Sequence, residues 1–128
     1  MDAAGDDYIL VVEDDDGVRE GLAEILKQTG YEVVACEDGR DALHHLALAE
    51  HLPRLIIMDF MMPHMDGWEF LAKRKSDARL REIPVLGMSA SQTLREGRRP
   101  TDIDDFFPKP FGVEPMLRSI ERHWHGLH

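Results

Sequence analysis

The sequence predicts an α/β fold, a single doubly wound parallel sheet with helices on both faces. Three observations predict it. Short apolar runs alternate with helix-period segments along the whole chain, the pattern of repeated βαβ units. The clearest runs, Ile9-Leu10-Val11-Val12 and Leu55-Ile56-Ile57-Met58, are continuously apolar, as in strands buried on both faces. Polar residues able to do chemistry stand at the ends of several runs, and right-handed crossovers bring such ends to one sheet edge.

The first strand is Tyr8 to Val12, stopped by Glu13-Asp14-Asp15-Asp16. Val18, Leu22, Ile25 and Leu26 recur at helical spacing, with Asp15 or Asp16 as cap and Gly30 as stop. Glu32 to Cys36 is the second strand, and Asp38-Gly39 turns into a helix carrying Ala42, Leu43, Leu46 and Ala47. The third strand runs from Leu55 into Asp59, and Gly67 opens a helix with Trp68, Phe70 and Leu71. Pro84 to Met88 is the fourth strand with Ser89 at its end, and Ile103 to Phe107 the fifth, followed by Lys109. Val113, Met116, Leu117 and Ile120 make the last helix. Residues 1–7 read as a disordered lead-in, 8–125 as one domain and 126–128 as a tail.

With 128 residues, 43% hydrophobic and 31% charged, the chain suits one globular domain. Its net charge of −10 argues against a nucleic-acid surface. No apolar run reaches the length of a membrane span and the acidic start is no signal peptide, so the expected location is the cytoplasm with no membrane partner. The single cysteine, Cys36, excludes an internal disulfide and reads as a small core residue.

Glu13, Asp14, Asp59, Ser89 and Lys109 stand at strand ends about one βα unit apart. Asp59 is too polar to lie deep in a sheet without partners. Carboxylates ~4 Å apart repel by roughly 4 kcal/mol at an effective dielectric of about 20. Such a cluster calls for a divalent cation or protonation, and hard oxygen donors suit Mg²⁺. Lys109 and Ser89 supply a charge and a hydroxyl that could hold phosphoryl oxygens. The methionines around Asp59 are packing and loop residues, and His64 is the histidine nearest this chemistry.

Val11-Val12-Glu13-Asp14-Asp15, Asp59-Phe60-Met61-Met62-Pro63-His64-Met65-Asp66-Gly67, Met88-Ser89-Ala90 and Phe107-Pro108-Lys109-Pro110-Phe111 together resemble the receiver domain of bacterial two-component response regulators. The resemblance runs from about Tyr8 to Trp124. It implies a flavodoxin-like sheet of five strands in order 2-1-3-4-5. It implies that Asp59 accepts a phosphoryl group from a phosphohistidine, in the manner of a signalling switch rather than a turnover enzyme. Asp14, Asp59 and the Met61 backbone carbonyl would ligate Mg²⁺, or Mn²⁺ in its place. Glu13, where the family more often has aspartate, would act through a metal-bound water. Lys109 would pair with the phosphoryl group and Ser89 hydrogen-bond it, with small Ala90 leaving room. Phe106 matches an aromatic switch position expected to move inward. The implied partners are a sensor histidine kinase or histidine phosphotransfer protein and a downstream protein target, with dimerisation open.

The chain departs from the family pattern in residues 91–102, where the fourth helix belongs. Leu94 is the only large apolar residue there, and Gly97 and Pro100 disfavour a helix, so this helix is expected to be short or irregular. Two other readings stay open. Asp14-Asp15-Asp16-Gly17-Val18 fits a haloacid-dehalogenase-like phosphatase with Asp14 as nucleophile and Asp16 as general acid, although no acidic Gly-Asp motif follows Lys109. A receiver that works as an adaptor without phosphorylation is the other.

Overall fold

A computed structural model of the chain describes residues 7–62, 64–90 and 103–125. The expectations for residues 1–6, 91–102 and 126–128, including the short or irregular fourth helix, lie outside the described residues. The elements are β1 (Ile9–Val12), α1 (Asp16–Thr29), β2 (Val33–Cys36), α2 (Gly39–Leu48), β3 (Leu55–Asp59), α3 (Gly67–Lys75), β4 (Val85–Ala90), β5 (Asp105–Lys109) and α4 (Val113–His125). The strands form one parallel sheet in the order β2-β1-β3-β4-β5, as expected.

Strand period assigns the side chains to the two faces. Leu10, Val12, Ile56, Met58 and Val85 point to one side, under Ala42 and Leu46 of α2 and Phe70 and Leu71 of α3. Ile9, Val11, Leu55, Ile57, Leu86 and Met88 point to the other, under Leu22 and Leu26 of α1 and Met116 and Ile120 of α4. Every residue of β1 and β3 is buried, which is why their sequences are unbroken apolar runs.

The helix ends follow the capping residues. Asp15 caps α1 by accepting from the Val18 N–H, leaving Asp16 as the first helical residue. Gly30 ends α1 at φ 111°, a left-handed conformation that glycine adopts without a Cβ penalty. Asp38 caps α2, and Asp66 with Glu69 forms a reciprocal capping box on α3.

Three boundaries correct the sequence reading. The fifth strand begins two residues later than Ile103 and runs through Lys109, and β4 continues past Met88 to include Ser89. Asp104 explains the later start: its N–H donates to the Val85 carbonyl, and its carboxylate accepts from the Val85 N–H. Pro108 is tolerated because β5 is an edge strand, where a missing donor need not break a ladder. Asp7, counted from sequence with the disordered lead-in, is ion-paired to Arg54 at 2.9 Å.

Cys36 lies at the end of β2 with 4% exposure, and burial, assisted by the nearby Asp41 carboxylate, pushes its thiol up to about 12. The thiol, not the thiolate, is therefore present near neutrality. The folded protein is expected to react with an aromatic disulfide reagent at pH 8 at least tenfold more slowly than the urea-unfolded chain. Equal rates measured at 412 nm would contradict this environment.

Candidate functional site at the carboxyl edge of the sheet

Parallel pairing places the ends of β1, β3, β4 and β5 along one edge. Two backbone bonds carry the ladders one step beyond their strands: the Glu13 N–H donates to Cys36 O at 3.0 Å, and the Phe60 N–H to Met88 O at 2.8 Å. Glu13 and Asp59 are thereby held by the sheet itself. Asp14 comes from the turn into α1.

Carboxylate oxygens of Glu13, Asp14 and Asp59 lie within 4.8 Å of one another. Glu13 is fully buried, Asp59 is 4% exposed and Asp14 is open to solvent. Lys109 reaches across from β5 and donates from Nζ to Glu13 Oε1 at 2.7 Å and to Asp59 Oδ2 at 3.2 Å. The second oxygen of each carboxylate is also bonded. Glu13 Oε2 accepts from the Asp15 N–H at 3.0 Å, and Asp59 Oδ1 from the Met61 N–H at 3.1 Å.

Burial raises the pKa of both Glu13 and Asp59 above the ordinary carboxylate range, although Lys109 and the backbone N–H groups pull in the opposite direction. Burial alone would lower Lys109, but the two carboxylates outweigh it and raise it. Three carboxylates against one lysine leave −3 + 1 = −2, so the site remains short of positive charge. Hard oxygen donors, negative charge and one solvent-open ligand fit a small divalent cation that keeps part of its water shell.

The other expected residues fall around this cluster. Ser89 is fully buried within β4, one residue beyond Met88, which is paired with Asp59. Phe106 lies opposite Gly87 on β5 and is already 7% exposed, its ring 5.9 Å from that of Phe60 at 78°. Met61 exposes its side chain beside Asp59. The Lys109–Pro110 peptide bond is cis. His64, in the loop after Asp59, is exposed at φ 71°. Asp16 is 81% exposed and paired with Arg19, outside the three-carboxylate group. Asp16, the general acid of the phosphatase alternative, is thus engaged by Arg19 at the start of α1.

Two contributors are not evident from sequence. Arg19 donates from Nη1 to the backbone carbonyl of Glu13 at 3.0 Å. Phe60 follows Asp59, is fully buried, and packs edge-to-face with Trp68 at 5.1 Å. Nothing in one sequence ties Arg19 to a carbonyl six residues earlier across a turn.

Residues 9–121 match the family model described as the response regulator receiver domain. The chain belongs to this family. The response regulator MprA of Mycolicibacterium vanbaalenii is 38% identical over 114 residues, 88% of this chain and 48% of that protein. The receiver thus spans about half the length of the curated relatives it matches. The signal receiver domain of a signal transduction histidine kinase from Syntrophus aciditrophicus is 33% identical with a TM-score of 0.81, over 93% of this chain and 90% of that one. The response regulator TrrA of Thermotoga maritima, solved in complex with Mg²⁺ and BeF, is 25% identical with a TM-score of 0.79, over 91% of this chain and 98% of that one. As a receiver domain the chain is a signalling switch of two-component systems rather than an ordinary enzyme. No helix among the described residues is long and apolar enough to cross a membrane.

Proposed function

We propose that this receiver takes a phosphoryl group on Asp59 from a phosphohistidine of a sensor kinase or histidine phosphotransfer protein, in a reaction that requires Mg²⁺. The observation that carries this reading is the convergence of Glu13, Asp14 and Asp59 at the strand ends, with Lys109 bridging two of them. Asp14, Asp59 and the Met61 backbone carbonyl hold the cation, for which Mn²⁺ can substitute. Glu13, where the family more often has aspartate, acts through a metal-bound water. When bound, the cation offsets charge on the transferring group.

An oxygen of the Asp59 carboxylate attacks phosphorus, forming a P–O bond as the P–N bond breaks, and the donor imidazole leaves. Lys109 releases its Asp59 oxygen and takes a phosphoryl oxygen. Ser89 donates its hydroxyl to another. Residues 8–125 constitute the switch unit. A downstream protein target reads the state through the surface built on β5 and α4, with dimerisation as one form of output. Phe106 links that surface to the site, and the domain works in the cytoplasm.

Incubation with acetyl phosphate or phosphoramidate and Mg²⁺ should add one phosphoryl mass to the intact protein. The gain should vanish in Asp59→Asn and in excess EDTA. A gain of equal size in either control would overturn the assignment. No gain in the native chain would leave the adaptor reading.

A further inference from the structure

The acidic cluster depends on the turn between β1 and α1, and that turn is fixed at few points. Glu13 is bonded through its N–H to Cys36 O, and through its carboxylate to Lys109 and the Asp15 N–H. Its own carbonyl belongs to the peptide that leads into Asp14. Rotation of that peptide plane would swing Asp14, the exposed member of the cluster, away from Asp59. Among the described residues one side chain holds the plane: Arg19 donates from Nη1 to the Glu13 carbonyl at 3.0 Å and from Nη2 to Asp16. Arg19 is itself only 15% exposed and is carried on the first turns of α1, so it is a rigid strut rather than a loose surface cation.

We propose that Arg19 is a positioning residue of the cation site, holding the Glu13–Asp14 peptide so that Asp14 stays within reach of Asp59. The inference rests on the cation site described above and adds a residue that touches neither the cation nor the phosphoryl group. Partners that orient metal ligands in this way typically cost 10–100-fold in metal affinity when removed.

The sign of the effect separates this role from simple electrostatics. Arg19 carries a positive charge near an acidic site. If charge alone mattered, its removal would tighten cation binding. If it holds the turn, its removal loosens the site and weakens binding. Affinity is read on the full chain by titration with Mn²⁺, followed through water-proton relaxation, with Mg²⁺ as competitor. Arg19→Ala and Arg19→Met should each weaken Mn²⁺ by about tenfold. Arg19→Met keeps the apolar stem and a good helix former, so it carries the test if the alanine variant does not fold. Arg19→Lys, with one donor group in place of the fork, should lie between these and the native chain. Arg118→Ala removes an equal charge from an exposed pair on α4 and should change nothing.

Affinity equal to or tighter than native in a folded Arg19→Met variant would overturn the proposal while the cation site stands. Absence of Mn²⁺ binding in the native chain would remove the cation site and the proposal with it.

Discussion

Lys109→Ala should lower the thermal midpoint of the metal-free protein by about 10 °C at pH 7.5 and leave its Mg²⁺ affinity undiminished. Lys109 is the cation that bridges Glu13 and Asp59. Removing one partner of a buried pair costs about 3–5 kcal/mol, because the other charge is left uncompensated. The lower end applies, since a quarter of the Lys109 side chain is exposed and the carboxylates can take up protons. The site charge then falls from −2 to −3, which favours a divalent cation more strongly. Saturating Mg²⁺ should therefore remove most of the difference between the variant and the native chain.

The pH dependence follows from the same groups. Burial raises Glu13 and Asp59, so the folded state binds more protons than the unfolded chain above the ordinary carboxylate values of 4.5 and 3.8. Metal-free stability then falls as pH rises through that window, and it falls further in Lys109→Ala. Mg²⁺ competes with those protons and should flatten the slope. Identical metal-free midpoints for the two proteins at pH 7.5, or a large loss of Mg²⁺ affinity in the variant, would contradict the bridging role.

Gly67→Ala should destabilise the protein by about 3 kcal/mol, at the upper end of overpacking costs. Alanine ordinarily improves a helix by about 1 kcal/mol over glycine, so the expected sign is opposite to propensity. A Cβ on Gly67 would lie 2.3 Å from two atoms of the Phe60 ring. The ring cannot retreat. It is fully buried between Trp68 and Phe106, and on its far side Gly87 leaves no slack, since a Cβ there would come within 2.7 Å of it. Nor can the backbone back away freely, because the Gly67 N–H donates to the Phe60 carbonyl at 3.0 Å. Urea unfolding at constant m-value measures the cost. Adding Phe60→Leu should recover part of it, since the two changes share one contact. A loss under about 1 kcal/mol for Gly67→Ala alone would show that the glycine is not required for this approach.

The central strands were legible because burial on both faces leaves β1 and β3 no polar position until the sheet ends. That same ending marks Glu13 and Asp59, so most of the acidic cluster could be read before any geometry was known. β5 was read two residues out of place because it is an edge strand containing Pro108 and mixed burial, and its start depends on a pairing between Asp104 and Val85 nineteen positions apart. The contact from Lys109 to Glu13 spans 96 positions, and the resemblance supplied a phosphoryl partner for Lys109 without showing this second bond. Phe60 looked like ordinary apolar filling, and its role depends on glycines from two other elements.

The two tryptophans occupy opposite poles of the sheet. Trp68 meets Phe60, the residue after Asp59, edge-to-face at the acidic edge. Trp124 packs on Tyr31 and beneath the Arg54 guanidinium at the far edge, where Arg54 also binds its carbonyl. The molecule therefore carries its own signal and its own reference for fluorescence. Single Trp→Phe variants would isolate each channel. Emission that shifts at Trp68 alone would mark a rearrangement confined to the acidic edge, and emission that shifts at both would mark unfolding.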